Sequence, residues 1–347
     1  MKLLTFLICT RNGASTLIDC LNHIARQKNI SHDTYEVVVV DNGSVDETGA
    51  VAQLALATLK CATKYVVEPK EGKVNAFLRG VRLSEAQFIA VVDDDNLLGE
   101  EFAFHTLQLF SEFEELGMVG SSNVIDGRTI PEWFPIAAGR FGCAEPYMHG
   151  DVKKIGDDRV ISSRAVIAGA GSTFRREPLL RALELDFSFS NDTFRGRRMA
   201  VTGEDIELCY LFQWLGYWFG FDRRITLQHR INPSRLTWPY ARRLARSIGA
   251  GTPVYDAFLW LESNDSTSRN GTWWWLAARR VRRLMNALPK FAFSGKEPSR
   301  VILNWDTELG GLMRLCRERG AFTRRIQAMK SSRWAQQLRN SRVQMGQ

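Results

Sequence analysis

Along the first half of the chain, short, mostly apolar runs alternate with stretches whose apolar residues recur every three or four positions. Leu3 to Cys9, Tyr35 to Val40, Tyr65 to Glu68 and Phe88 to Val92 are too short for helices, and Phe88 to Val92 runs without in-out alternation. That is the pattern of strands buried on both faces of a parallel sheet. Between them, Ser15 to Gln27 places Leu17, Cys20, Leu21 and Ile24 on one helical face, Asp46 to Leu59 reads as a second helix, and Gly72 leads into a third that ends near Leu83. Strands and helices alternating at this spacing predict β-α-β units with right-handed crossovers, and therefore an α/β fold. Further on, Met118 to Val124 predicts a strand, Ile130 to Arg159 is weakly periodic with scattered Pro and Gly and predicts a long loop, and Val166 to Phe174 predicts a strand broken by glycines. Pro178 to Leu185 and Ile206 to Leu215 predict helices, and the aromatic run Tyr217 to Phe221 predicts a strand leading to Ile225 to His229.

Charge divides the chain in a way the hydrophobic pattern does not. The net +8 conceals residues 1–221, with 22 basic against 30 acidic side chains, and residues 222–347, with 24 against 8. The front part is thus at −8 and the rear at +16. An acidic front suits a cation site, and a basic rear suits a polyanion, whether nucleic acid or an anionic membrane surface. With 45% hydrophobic and 24% charged residues over 347 positions, the chain has the make-up of a folded protein with one large α/β domain and a smaller part, or two domains. The six cysteines (Cys9, Cys20, Cys61, Cys143, Cys209, Cys316) are far apart and lack CxxC spacing, which points to reduced thiols of a cytoplasmic protein. The opening MKLLTFLIC is too short for a signal-peptide core before TRNGAS and reads as the first strand. No run of 18 apolar residues occurs.

The strongest chemical signal is FIAVVDDDNLLG, where the apolar run Phe88 to Val92 meets Asp93, Asp94 and Asp95. Three ionised carboxylates cannot all be buried unpaired, since each would lose roughly several kcal/mol of hydration even after relaxation. A solvated acidic loop or helix cap would also carry such a triplet. A buried strand running straight into it favours a divalent ion with nucleotide phosphates, because open α/β sheets bind ligands at the carboxyl ends of their strands. Three more polar turns fall at predicted strand or loop ends: Thr10-Arg11-Asn12, Asp41-Asn42-Gly43-Ser44, and Gly203-Glu204-Asp205 before a helix.

Taken singly, each of these turns is an ordinary turn or cap. Their order and context resemble the family 2 glycosyltransferases of GT-A fold over about residues 1–235. That resemblance implies a Rossmann-like, mostly parallel sheet with flanking helices, here followed by a basic, Trp/Arg-rich helical extension at 236–347. It implies that Thr10, Arg11 and Asn12 line a nucleotide pocket, that Asp41 accepts from the base, and that Lys73 approaches the nucleotide or its phosphates. It further implies that Asp94 faces the ribose and that Asp95 binds Mn²⁺ or Mg²⁺, with Asp93 sharing either task and His229 as another metal or diphosphate contact. Hard oxygen donors suit those ions. Asp205 is the implied catalytic base with Glu204 as the alternative, and Gly169, Gly171 and Ser172 form the acceptor-side turn. The implied reaction moves a sugar, favoured as UDP-linked, with inversion onto a glycan or lipid-linked acceptor in surface polysaccharide synthesis. One departure stands at Leu78, where many relatives carry Asn. A sugar-1-phosphate nucleotidyltransferase is the enzymatic alternative but would want a glycine-rich GxGxxG phosphate loop, which is absent. A nucleic-acid-binding protein using the basic rear part is the other, and it leaves the four turns unexplained.

In the rear part, Trp273 to Leu288 gathers Trp274, Ala277, Ala278, Val281, Leu284, Met285 and Leu288 into one helical arc, with Arg279, Arg280, Arg282 and Arg283 opposite. Such a helix either lies in a membrane interface, as peripheral attachment to the inner face of the cell membrane would require, or packs on its own protein.

Overall fold

The computed structural model describes residues 2–127, 129–191, 201–262, 272–293 and 298–337, and these divide into two compact units. The first comprises Met1–Gly127, Gly142–Arg181 and Leu211–Ile231, and the second Arg128–Phe141, Ala182–Tyr210 and Asn232–Gln347.

The first unit is built on a mixed sheet. In chain order its opening elements are β1 (Leu4–Thr10), α1 (Leu17–Ala25), β2 (Tyr35–Asp41), α2 (Thr48–Leu56), β3 (Ala62–Val67), α3 (Lys73–Leu83) and β4 (Phe88–Asp93). They are followed by β5 (Asn96–Leu98), α4 (Phe102–Glu112) and β6 (Leu116–Ile125). The strands β1, β2 and β4 are buried over nearly their whole length, as their mostly apolar sequences require, and the buried Thr5 hydroxyl donates to the buried Glu36 carboxylate at 2.8 Å. On one face of the sheet, Leu17, Cys20, Leu21 and Ile24 of α1 pack with Phe102 and Ala103 of α4 against Phe6, Ile8 and Val92.

A short helix, α5 (Phe134–Ala137), belongs to the second unit; the first unit continues with β7 (Tyr147–Ile155), β8 (Arg159–Val166) and β9 (Thr173–Arg175). The long loop expected over Ile130 to Arg159 is therefore corrected to include a helix and a nine-residue strand. β7 escapes sequence reading because it is an edge strand exposed on both faces, held by antiparallel backbone pairing to β8 and free of any in-out pattern. The strand expected at Val166 to Phe174 is likewise two strands, β8 and β9, separated by the glycine turn. Helix α6 (Arg176–Glu184) and helix α7 (Glu204–Trp214) then lead to β10 (Trp218–His229), one strand where two were expected, with a register shift between Phe221 and Thr226.

The sheet order is β3-β2-β1-β4-β9-β6-β10-β8-β7, with β5 paired to β10. The pairings β3-β2, β2-β1 and β1-β4 are all parallel. The chain builds outward from β1 to β2 and β3, then returns to lay β4 on the other side of β1. That reversal makes a topological switch point between β1 and β4, where the carboxyl ends of neighbouring strands open a crevice.

The second unit is helical: α8 (Trp238–Glu262), α9 (Trp273–Phe293) and α10 (Arg300–Ser331). α8 and α10 approach with backbones almost in contact. A Cβ added at Gly249 would collide with the Thr307 carbonyl, and one at Gly310 with the Arg246 carbonyl. Buried Asp306 sits at this crossing, where its carboxylate accepts from Arg242 at 2.6 Å. The expectation that all four arginines of α9 lie opposite its packed face is corrected at Arg280, which is 3% exposed. Its Nη2 donates to Asp256 at 2.9 Å and Thr252 at 2.7 Å, and its Nη1 to Glu308 at 3.0 Å. A guanidinium at the edge of an apolar arc is drawn inward when acids on two neighbouring helices await it.

In an open helix, exchanging glycine for alanine stabilises by up to about 1 kcal/mol. At Gly310 the added methyl has no room, so Gly310→Ala should instead destabilise by about 1–3 kcal/mol. Urea unfolding of the two proteins measures this, and a more stable variant would contradict the close backbone crossing.

Candidate active site

Parallel register alone aligns the first pieces of the site. Thr10 lies opposite Asp41, and Cys9 opposite Asp93, so the ends of β1, β2 and β4 present their polar residues along one edge of the sheet. The three carboxylates that follow β4 then diverge to different partners. Asp93 pairs with Lys73 Nζ at 3.0 Å, at the start of α3. Asp94 accepts a short hydrogen bond from the Thr10 hydroxyl at the end of β1. Asp95 faces His229 Nε2 at 3.3 Å.

His229 reaches that position through a pairing the sequence does not announce. β5 runs antiparallel to β10 with Asn96 opposite His229, while the Arg230 amide donates to the Asp95 carbonyl at 2.8 Å. Buried Asn96 also accepts from the Asp93 amide at 2.9 Å, closing the turn of the triplet. Burial pushes the imidazole pKa down, but the hydrogen bonds with Asp95 and Cys143 outweigh it and raise His229 to about 10. The Cys143 sulfur lies 3.8 Å from Nδ1. Protonated, His229 is a counter-ion for Asp95; neutral, it presents a nitrogen donor beside a carboxylate oxygen.

The first two turns are tied together. Asn12, at φ 56°, accepts from the Val45 amide at 2.9 Å, and its own amide donates to Ser44 Oγ at 2.9 Å. Asp41 closes its turn by accepting from the Ser44 amide at 2.8 Å, and it accepts from the Tyr65 hydroxyl at 3.0 Å. Burial and that carboxylate push Tyr65 up to about 12. Arg11 pairs with Glu71 at 2.7 Å. Gly13 provides the clearance for the Thr10–Asp94 contact, since a Cβ there would strike both side chains.

The glycine turn between β8 and β9 is sewn beside β4. The Gly171 amide donates to the Val91 carbonyl at 2.9 Å, and the Val91 amide to the Ser172 carbonyl at 2.8 Å. Ser172 Oγ donates to the Gly169 carbonyl at 2.8 Å, and Asn123 Nδ2 to the Ala170 carbonyl at 2.9 Å. In this first unit the structure therefore gathers Thr10, Asp41, Lys73, Asp93, Asp94, Asp95 and His229 at one sheet edge, with Gly169, Gly171 and Ser172 two residues back along β4. Sequence reading missed Asn96, Arg230, Cys143, Tyr65 and Gly13, which position the others and carry no motif of their own.

Glu204 and Asp205 belong to the second unit, on the first turn of α7. Asp205 accepts from the Ile206 amide at 2.9 Å, and Glu204 from the Gly203 amide at 3.1 Å. Gly203 holds φ 116°, a conformation side chains disfavour, and the Tyr255 hydroxyl donates to its carbonyl at 3.0 Å. One turn further into α7 lies Glu207, whose carboxylate accepts from the amides of Ser190 and Asn191. Arg314 bridges the carbonyls of Ala250 and Ser190 to this region, at 2.8 and 3.1 Å.

The family model for glycosyl transferase family 2 matches residues 5–181, just over half of the chain. The chain belongs to glycosyl transferase family 2. Its triplet, its polar strand ends and its glycine turn all fall inside the matched span. Among curated proteins it is similar to glycosyltransferase GlyG of Streptococcus pneumoniae serotype 4, at 22% identity over 120 residues. That match takes in 35% of this chain and 39% of GlyG. Among solved structures it is similar to S. aureus TarS 1-349, with 14% identity, 89% of this chain and 90% of that one covered, and a TM-score of 0.49. It is also similar to the mannosyltransferase PcManGT of Pyrobaculum calidifontis in complex with GDP-Man and Mn²⁺, with 16% identity, 91% and 86% covered, and a TM-score of 0.49. Against a longer TarS chain it spans 55% of the length.

The donors present are of the kind that a divalent ion takes. Among the described residues, no group of three or more His, Cys, Asp or Glu is assembled as a ready cage. Mg²⁺ and Mn²⁺ do not need one, since in nucleotide sites they bind through one or two carboxylates plus substrate phosphates and keep water. The Asp95 carboxylate fits that mode, with Asp93 in the same turn; His229, protonated beside Asp95, would join as a ligand only on giving up its proton.

Glu207 supplies a pH signature independent of any ligand. Burial raises its carboxyl from 4.5 to about 8, against the pull of the two amides and Arg314. The folded protein thus holds this proton more tightly than the unfolded chain. The associated stability is complete below about pH 4.5, falls as pH rises, and is lost once pH passes about 8. The stability difference between wild type and Glu207→Gln should accordingly shrink from pH 4.5 to 8, measured by urea unfolding across that range. A difference that stays constant with pH would contradict the buried neutral carboxyl.

Proposed function

We propose that the chain transfers a sugar from a nucleoside-diphosphate sugar, UDP-linked in the favoured case, to a hydroxyl of a glycan or lipid-linked acceptor, with inversion and with the help of Mn²⁺ or Mg²⁺. The observation that carries this reading is the alignment of Thr10, Asp41 and Asp93 at neighbouring strand ends, with Asp94 and Asp95 turned to separate partners, in a family 2 chain.

In this reading Asp41 accepts from the nucleotide base, and the turn Thr10-Arg11-Asn12 lines the pocket with Arg11 held in place by Glu71. Asp94, fixed by the Thr10 hydroxyl, faces the ribose. Lys73, already beside Asp93, swings between that carboxylate and the donor phosphates. Asp95, with His229 and Asp93 near it, would hold the ion, which supplies Lewis-acid stabilisation of charge on the departing diphosphate. Asp205 takes the proton from the attacking hydroxyl. It sits at a helix N-terminus, where the helix dipole favours the ionised carboxylate, and Glu204 is the alternative base. Gly169, Gly171 and Ser172 border the acceptor side, where the lack of side chains on the glycines lets a sugar ring come close. The nucleotidyltransferase reading finds no glycine-rich phosphate loop. The nucleic-acid reading loses ground because Arg242, Arg280, Arg283 and Arg314 of the basic part are engaged by acids of their own unit.

Two substitutions separate donor handling from chemistry. Asp95→Ala should abolish transfer and remove its stimulation by Mn²⁺. Asp205→Asn should keep donor affinity and lower kcat by roughly 10²-fold or more, the scale of a lost general base. Product formation from radiolabelled UDP-sugars, with donor KM determined alongside, reads both. Full activity in the first variant would remove Asp95 from the site, and a KM loss equal to the kcat loss in the second would assign Asp205 a structural role.

A further inference from the structure

Helix α9 carries an apolar stripe that faces solvent. Trp274, Ala278, Val281, Met285 and Leu288 recur at the spacing of one helical face, and Trp274 is 45%, Met285 67% and Leu288 51% exposed. The adjoining face is buried through Leu276, Ala277 and Leu284. The helix is locked against rolling the stripe inward, because that motion would tear the Arg280 guanidinium from Asp256, Thr252 and Glu308 and strand buried charge.

The chemistry around the stripe identifies its occupant. α9 holds five basic residues and no acidic one, and three consecutive tryptophans open it. Arg280 and Arg283 are turned to Glu308, but Arg282, next to Val281 in the chain, and Lys290 are exposed. At the tryptophan end, the Arg279 guanidinium lies 5.7 Å from the Trp275 ring. Five side chains on a single helix offer far less than the roughly 800 Å² per partner that a stable protein interface buries. A lipid interface asks only for a helix that sinks an apolar stripe to the acyl boundary with cations at headgroup level. Among the described residues no helix is long and apolar enough to cross a membrane, so attachment by this face is peripheral.

We propose that α9 docks the protein on an anionic lipid surface, with Trp274, Val281, Met285 and Leu288 in the headgroup–acyl boundary and Arg282, on the flank of the stripe, meeting lipid phosphates. The inference goes beyond sugar transfer and does not depend on it, since binding is read without donor. A transferase that ignores vesicles, or a vesicle-binding chain without transferase activity, would each fail one reading and leave the other standing.

Flotation of the full chain with vesicles of phosphatidylcholine plus phosphatidylglycerol, and with phosphatidylcholine alone, tests it. Wild type should float with the mixed vesicles and much less with the neutral ones. The double variant Val281→Gln, Met285→Gln should float about tenfold less. Arg282→Gln should float less at low salt and be less sensitive to added salt. All three positions are exposed, so unfolding midpoints should match wild type. As a readout that needs no folded double variant, vesicles should shift wild-type tryptophan emission to the blue, and Trp274→Gln should diminish that shift. Wild type that stays unbound with both vesicles, or a double variant that floats like wild type, would overturn the proposal. So would a wild-type dimer in light scattering that the double variant dissolves, which would make the stripe an interface between copies.

Discussion

Three adjacent carboxylates at the end of a buried strand set the terms for the rest of the first unit. Left without partners, they would repel one another and forfeit hydration. The chain answers with one partner from each of three elements: Lys73 from α3, the Thr10 hydroxyl from β1, and His229 from β10. Those partners lie 20, 84 and 134 residues from their carboxylates, so the site exists only when the sheet is complete. Two of the three partners, Lys73 and His229, are cationic, and in the proposed reading a phosphate-bound ion takes the place of such a cation beside its carboxylate.

The parts legible in the sequence are those where one physical pressure dominates locally. Unbroken valines and isoleucines mark β2 and β4 because both faces are buried, and Leu17, Cys20, Leu21 and Ile24 mark α1 because only one face is. The polar strand ends are legible for the same reason, since an apolar run that stops at Asp or Thr must stop at water or at a ligand. β7 carries no such pressure, being an exposed edge, and its residues resemble a loop. The Asp95–His229 meeting is suggested by the family resemblance alone and is illegible in the local pattern for a different reason. It depends on the antiparallel pairing of the three-residue β5 with β10, and no local pattern encodes which distant strand will lie beside so short a segment. Arg280 shows the limit of helical-wheel reasoning. Its place at the margin of the apolar arc predicts water, and only Asp256 and Glu308 on other helices explain why it is buried.

The second unit follows a different economy. Its helices meet through glycine backbones at Gly249 and Gly310, and charge is enclosed in defined pairs at Asp306, Glu308 and Glu318. Several arginines of this basic part are thereby used to hold α8, α9 and α10 together. What remains outward on α9 is an apolar stripe with exposed cations on the rest of the helix surface. The α7 turn with Glu204 and Asp205 is held by this same unit, through Tyr255 on Gly203 and through the Glu207 carboxyl. The helical part is thus a structural participant in presenting the proposed base, beyond any role as an appendage.

In the proposed reading, the aspartate cluster at the β4 end binds a nucleoside diphosphate through a divalent ion. Calorimetric titration of the full chain with UDP, once with Mn²⁺ and once with EDTA, measures this most directly. Saturable one-to-one binding is expected with Mn²⁺, weakening by roughly 10²-fold or more in EDTA, as when an ion bridges phosphate and carboxylate. Equal affinity under the two conditions would contradict it.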